Sequence, residues 1–269
     1  MRLFPACLVV LFVFAAGQGS AQETGLISLE TTDDAKGWEA VGRLDLGNNG
    51  FCTATLIAPQ LVLTAAHCLF NKDTGARTPV QDFQFLPGLR NGRAEAYRHV
   101  SVAAAHPDYV YAGVGKLDRV GFDVALLRLD QPIRSTSVTP MEIGPRPDVN
   151  SSVGVVSYAQ DRAEAPSLQQ TCTVLDEANA ISVLSCSVDF GSSGAPVFDI
   201  SGQNPKIVSI ISAKADLGEE PVALAVSVTE VLPTLLSEIE SQLGGESRVE
   251  GVTVLSGGHG GTAKFVTVP

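Results

Sequence analysis

The sequence predicts an all-β fold: two packed antiparallel β-barrels followed by a C-terminal helix. Short apolar runs broken by turn signals recur from Trp38 to Val228. Helical stretches do not alternate with them, which disfavours a parallel sheet. Helical spacing emerges only near the end, where Val231, Leu232, Leu235, Leu236, Ile239 and Leu243 share one face of 229–243.

Residues 1–21 read as a secretory signal peptide. Arg2 gives a positive start, Leu8 to Ala16 is apolar, and Gly19-Ser20-Ala21 offers small residues for cleavage. The run is too short for a membrane span. Cys7 precedes the apolar run, so it does not stand where a lipid-bearing cysteine would. The expected location is secreted or periplasmic. About 250 residues remain, enough for one large all-β domain or two small ones. The expected division is 22–140 for an arm and the first barrel, 141–243 for the second barrel and helix, and 244–269 for a glycine-rich tail. A net charge of −11 disfavours nucleic acid or an anionic membrane as partner. Aromatics make up only 6 % of the chain, so Val, Leu, Ile and Ala must build the core.

Taken in order, 22–37 is polar and reads as an irregular arm. Strands are expected over 38–46 and 51–58, with Pro59-Gln60 as a turn. Residues 61–64 form a short buried strand ending at Ala65-Ala66-His67-Cys68, and 71–78 a polar loop. Residues 83–86, 96–105 and 124–129 complete the first set. In the second set, 153–159 alternates, and 169–175 and 180–188 flank a polar turn at 176–179. Further strands follow at 196–200, 207–213 and 222–228. Thr229 reads as the helix cap and Gly244-Gly245 as its stop. The tail has two apolar runs, 252–255 and 265–268, which leave either disorder or an added edge strand open. Its Gly257-Gly258-His259-Gly260-Gly261 run lacks the strand–helix context of a phosphate loop.

The chemistry centres on Gly191-Ser192-Ser193-Gly194-Ala195-Pro196. Flanking glycines permit a tight turn that aims Ser193 Oγ outward and the N–H groups of Gly191 and Ser193 at one point. A serine hydroxyl needs a base, and the base needs an orienting group. His67, in Leu63-Thr64-Ala65-Ala66-His67-Cys68, and Asp123, in Phe122-Asp123-Val124-Ala125-Leu126-Leu127, supply these two types. His99, His106 and His259 read as surface or turn residues.

In these three segments, and in their His, Asp, Ser order, the chain resembles the trypsin/chymotrypsin-like serine peptidases. The resemblance implies a barrel of six strands on either side of the catalytic cleft. It implies His67, Asp123 and Ser193 as the catalytic triad, and Gly191 and Ser193 as oxyanion donors. The implied activity is endopeptidase cleavage through an acyl-enzyme, with polypeptide substrates, no cofactor, no metal and a monomeric state. By family spacing the substrate side chain would meet Ser187, Ser212, Ala213, Lys214 and Ala225. No aspartate falls clearly at the pocket floor, so small or apolar side chains are expected there. Lys214 leaves an acidic preference open.

Four cysteines follow residue 21, and an even count in an exported chain favours disulfides. Of three possible pairings, Cys52–Cys68 with Cys172–Cys186 keeps both loops local. The first of these matches the family's bridge beside its histidine. Three departures are visible. Ser192 stands where animal members carry the aspartate that pairs with a freed N-terminus. Ala195 replaces a glycine, and the extra cysteines of digestive enzymes are absent. This resembles bacterial secreted members, including the glutamyl endopeptidases, although their wall histidine is missing. Two other readings remain: a catalytically silent relative used for binding, and an esterase. An esterase would need Gly-x-Ser-x-Gly and a later histidine, and only His259 follows Ser193.

Overall fold

A computed structural model describes residues 25–111, 120–244, 251–255 and 265–267. The expected signal peptide and His259 lie outside the described residues. Among those described, no helix is long and apolar enough to cross a membrane.

The chain opens with β1 (Leu26–Ser28), an element of the region expected to be irregular. Next come β2 (Val41–Leu46), β3 (Phe51–Ala58), β4 (Leu61–Thr64), β5 (Phe83–Pro87), β6 (Arg98–Ala105) and β7 (Ala125–Leu129). These close into an antiparallel barrel in the order β2-β3-β4-β7-β6-β5. Residues 52–58 of β3 are all buried, so the usual inside–outside alternation is lost. One face of the strand fills its own barrel and the other meets strands of the second.

The second barrel is built from β8 (Ser152–Ala159), β9 (Arg162–Ala178), β10 (Ile181–Leu184), β11 (Pro196–Asp199), β12 (Lys206–Leu217) and β13 (Glu220–Ser227). Its ring runs β8-β9-β10-β13-β12-β11 and closes where β11 pairs with β8. Both barrels are therefore six-stranded and antiparallel, as expected. β9 is the largest surprise at 17 residues. It starts at Arg162, passes through Pro166, pairs with β8 and β1 over its first part and with β10 over its last.

A continuous core joins the two barrels and is dominated by Val, Leu, Ile and Ala. Trp38 packs edge-on against Phe198 of β11 with ring centroids 4.9 Å apart. The fully buried Tyr158 donates its hydroxyl to the Leu89 carbonyl at 3.0 Å, so the polar tip it buries is partnered. Helix α1 (Val228–Gln242) buries Val231, Leu232, Leu235 and Ile239, and packs against β6, β7 and β12.

The expected helix cap needs correction. Thr229 lies inside the helix, and its hydroxyl donates to the Gly144 carbonyl at 2.7 Å. Ser227 occupies the cap position, but its side chain makes no capping bond. The stop holds: Gly244 adopts φ +71°, a left-handed conformation that ends helices.

Both disulfides follow the local pairing, Cys52–Cys68 and Cys172–Cys186. Closing a loop of about this size is worth about 3 kcal/mol. In the tail, β14 (Thr253–Leu255) pairs with β15 (Phe265–Thr267), which decides for strand. Ile143, in the link between the barrels, bridges Val254 on one side and Ile207 of β12 on the other.

Candidate active site

His67 sits in a 3-10 turn, 66–69, entered directly from β4. The turn is braced by the Cys68 bridge to β3. Asp123 follows a second 3-10 turn, 120–122, just before β7. Since β4 and β7 are paired, with Thr64 opposite Ala125, both turns emerge from the same end of adjacent strands. That register is why two segments far apart in sequence meet.

They meet closely. Asp123 Oδ2 lies 2.7 Å from His67 Nδ1, and Oδ1 accepts the His67 backbone N–H at 2.8 Å. A third donor comes from the other barrel: Ser212 Oγ bonds Asp123 Oδ2 at 2.5 Å. The contact places the imidazole proton on Nδ1, leaving Nε2 free to accept. Burial would push the Asp123 carboxyl up. The charge and hydrogen bonds of His67, with that of Ser212, outweigh it and hold the carboxyl below its ordinary value. Burial likewise opposes a charged His67, but the Asp123 carboxylate more than offsets this and raises the ring above its ordinary value.

Ser193 sits on the 185–195 loop of the second barrel, which leans against the first. The Thr53 N–H of β3 donates to the Ser193 carbonyl at 2.9 Å, and Gly194 N–H donates to Ile211 at 2.7 Å. Gly194 has φ +76°, and a Cβ there would collide with Thr64 Oγ1 and the Thr53 carbonyl. The residue after Ser193 is therefore pressed against the segment that leads into the His67 turn. Gly191 has φ +97°, and a Cβ would lie 2.5 Å from the Phe51 ring. Both flanking glycines are thus required on two counts, backbone conformation and space.

The carbonyls just ahead of Gly191 and of Ser193 are tied down. Gln160 N–H donates to Phe190 at 2.8 Å, and Ala195 N–H donates to Ser192 at 3.0 Å. In a trans peptide the next N–H points the opposite way. The Gly191 and Ser193 N–H groups accordingly turn away from these anchors. Among the described residues, neither N–H has an acceptor.

The remaining residues singled out from the sequence fall in different settings. Ser192 is fully buried, 3.3 Å from Ser157 Oγ and 3.4 Å from the Tyr158 carbonyl. Ser187 is exposed on the loop and Ala213 is half-buried on β12. Ala225 is fully buried within the second barrel. Lys214 is exposed, but its Nζ is held by Asp189 at 2.8 Å and lies over the Phe190 ring. His106 is buried, stacks on Phe122 at 5.0 Å and accepts the Asp108 N–H at 3.3 Å. Burial lowers its pKa against the pull of Asp108, so it serves as a neutral turn residue.

Sequence reasoning missed the service of Ser212 to Asp123, since nothing in Ser-Ala-Lys distinguishes it. It also missed the aromatic group of Phe70, Tyr109 and Tyr111 beside the His67 turn, with Phe70 and Tyr111 stacked at 5.0 Å. Burial first, then the Asp123 charge, push the Tyr109 phenol far up, so it stays protonated. The sulfurs of Cys52 and Cys68 lie near His67, but a bridged pair has no thiolate to give a metal.

A pair of six-stranded barrels, with an aspartate-oriented histidine in one and a glycine-flanked serine in the other, defines the double-barrel serine hydrolases. The family model for the trypsin-like peptidase domain matches residues 52–204, more than half the chain. The chain belongs to that family and is a serine-type endopeptidase. Among solved structures it is similar to one described as a Glu endopeptidase in complex with MPD. The identity is 18 % and the TM-score 0.65, covering 82 % of this chain and 97 % of that one. That likeness is one of fold.

Proposed function

We propose that this chain is an exported, monomeric endopeptidase that cleaves peptide bonds through Ser193, His67 and Asp123. Ser193 Oγ attacks the peptide carbonyl. His67 Nε2 takes its proton and then passes it to the leaving amine, while Asp123 holds the ring and stabilises the imidazolium. The N–H groups of Gly191 and Ser193 receive the oxyanion, and water resolves the acyl-enzyme. The cleft between 22–140 and 141–243 is the natural place for substrate. The observation that carries this reading is the doubly bonded His67–Asp123 contact. A silent binding protein has no use for a buried carboxylate spent on orienting one imidazole.

Fluorophosphonate labelling tests it. Covalent mass is expected on Ser193 in folded protein; no labelling favours the binding reading. The same reagent tests activation. Ser192 is held among neutral partners, where animal relatives use a carboxylate paired with a new N-terminus. A protein extended by several residues at its mature N-terminus is therefore expected to label at the same rate. Strong inhibition would restore an N-terminal switch.

The pH profile follows from the pKa direction of the base. Neutral His67 accepts the proton, so raising its pKa moves the loss of activity to higher pH. The acid limb of kcat/KM is expected above the ordinary histidine value of 6.5. A midpoint at or below that value contradicts the pairing.

We further propose Ser187, Ser212, Ala213 and Lys214 around the substrate side chain, with a preference for small or apolar residues; Ala225, fully buried in the barrel, does not reach it. Ala213 offers a methyl group, and Asp189 already neutralises Lys214. A peptide-library digest checks this; cleavage confined to acidic residues would show that substrate displaces Asp189 from Lys214.

A further inference from the structure

We infer that Thr53 is a positioning residue, whose hydroxyl in the first barrel sets the oxyanion-binding turn of the second. The inference rests on the assignment of the Gly191 and Ser193 N–H groups as oxyanion donors.

Thr53 is fully buried on β3, beside Cys52, whose disulfide partner Cys68 follows His67. Its Oγ1 donates to the Gly191 carbonyl at 2.8 Å and accepts the Tyr158 N–H at 3.1 Å. The Tyr158 carbonyl, at 3.5 Å, is a poorer acceptor for the same proton. The Thr53 N–H donates to the Ser193 carbonyl at 2.9 Å, and its own carbonyl accepts Thr64 Oγ1 at 2.9 Å. One residue thus holds the carbonyls of both donor residues. Its two hydroxyl bonds span from Gly191 to Tyr158, at the end of β8.

Gly191 explains why such a hold is needed. It adopts φ +97° and has no side chain, so its own sterics do not fix the 191–192 peptide. The peptides on either side are tied at Phe190 by Gln160 and at Ser192 by Ala195. Between those anchors the Gly191 carbonyl is fixed by Thr53 Oγ1. If that carbonyl rotates, it drags the flanking N–H groups off a common focus. Catalytic donors act in proportion to how well they are held before charge develops, so the cost falls on turnover rather than binding. Valine matches threonine in shape but lacks both hydrogen bonds. Serine keeps them and loses only a methyl group.

The test compares Thr53→Val and Thr53→Ser with the wild type on one peptide substrate. Thr53→Val is expected to lower kcat about 30-fold, short of the loss for deleting a donor outright. KM should stay within about threefold, and affinity for a peptidyl boronic acid should fall in step with kcat/KM. Thr53→Ser is expected to recover kcat to within about threefold. If Thr53→Val does not fold, Thr53→Ala carries the same readout. A folded valine or alanine variant with wild-type kcat, or one that changes KM alone, overturns the inference. Wild-type labelling of Ser193 by fluorophosphonate is measured first. Its failure sinks the functional reading; labelling followed by unchanged variant kinetics sinks only the role of Thr53.

Discussion

Replacing Ser193 by alanine is expected to lower kcat by about 10⁶-fold, equivalent to about 8 kcal/mol of lost transition-state stabilisation. The change removes the attacking atom and little else. The contacts that hold the loop run through backbone atoms, from Thr53 to Ser193, Gly194 to Ile211 and Ala195 to Ser192. None needs the hydroxyl, so the oxyanion donors should stay in place and KM should change little. Residual catalysis from those donors over the reaction in water is expected at about 10³-fold. Steady-state turnover, with concentration fixed by absorbance rather than active-site titration, checks it. A loss smaller than about 10²-fold would place the nucleophile elsewhere.

The second large effect is expected at Asp123→Asn, with kcat falling by about 10⁴-fold, the loss known for the same change in a relative of this enzyme. The carboxylate accepts three hydrogen bonds, from His67 N–H, His67 Nδ1–H and Ser212 Oγ. An amide has one oxygen for those donors. If its NH2 faces Nδ1, the imidazole proton moves to Nε2, and the ring can no longer accept from Ser193. If its oxygen faces Nδ1, the NH2 group turns toward the His67 backbone N–H, donor against donor. Loss of the negative charge also removes what raises the His67 pKa, so the acid limb of any residual activity should move down. A variant with wild-type turnover, or with an unmoved acid limb, would show that Asp123 does not act through the ring.

The parts of this molecule written in local sequence were readable before the fold was known. His67 beside a bridging cysteine, Asp123 leading an apolar strand, and Ser193 between glycines are each short-range patterns. Each needs particular residue types at fixed spacing. The two disulfides could be paired by locality. What escaped depends on partners far away in the chain. Leu26 and Ile27 are exposed, so β1 exists through backbone pairing to β9 and leaves no periodic trace. β9 runs through Pro166 and several polar residues, because for much of its length it is paired rather than buried on both faces. Thr229 has the chemistry of a cap, yet a carbonyl across the interface at Gly144 claims its hydroxyl. Ser212 and Thr53 look like ordinary strand residues until the second barrel meets the first. The spatial relations that sharpen the site are those between barrels, and no single window of sequence contains them.

The bridge at Ile143 bears on how the protein behaves toward copies of itself. Its N–H bonds Thr253 at 3.0 Å, and its carbonyl receives the Leu255 N–H at 2.9 Å. β14 thereby pairs both backbone polar groups of Ile143, the residue that also bridges Ile207 of β12. Severed ahead of Gly251, the molecule would leave the Ile143 N–H and carbonyl without these partners, an unpaired backbone edge to which another chain could add. β14 therefore shields these two groups from neighbouring molecules.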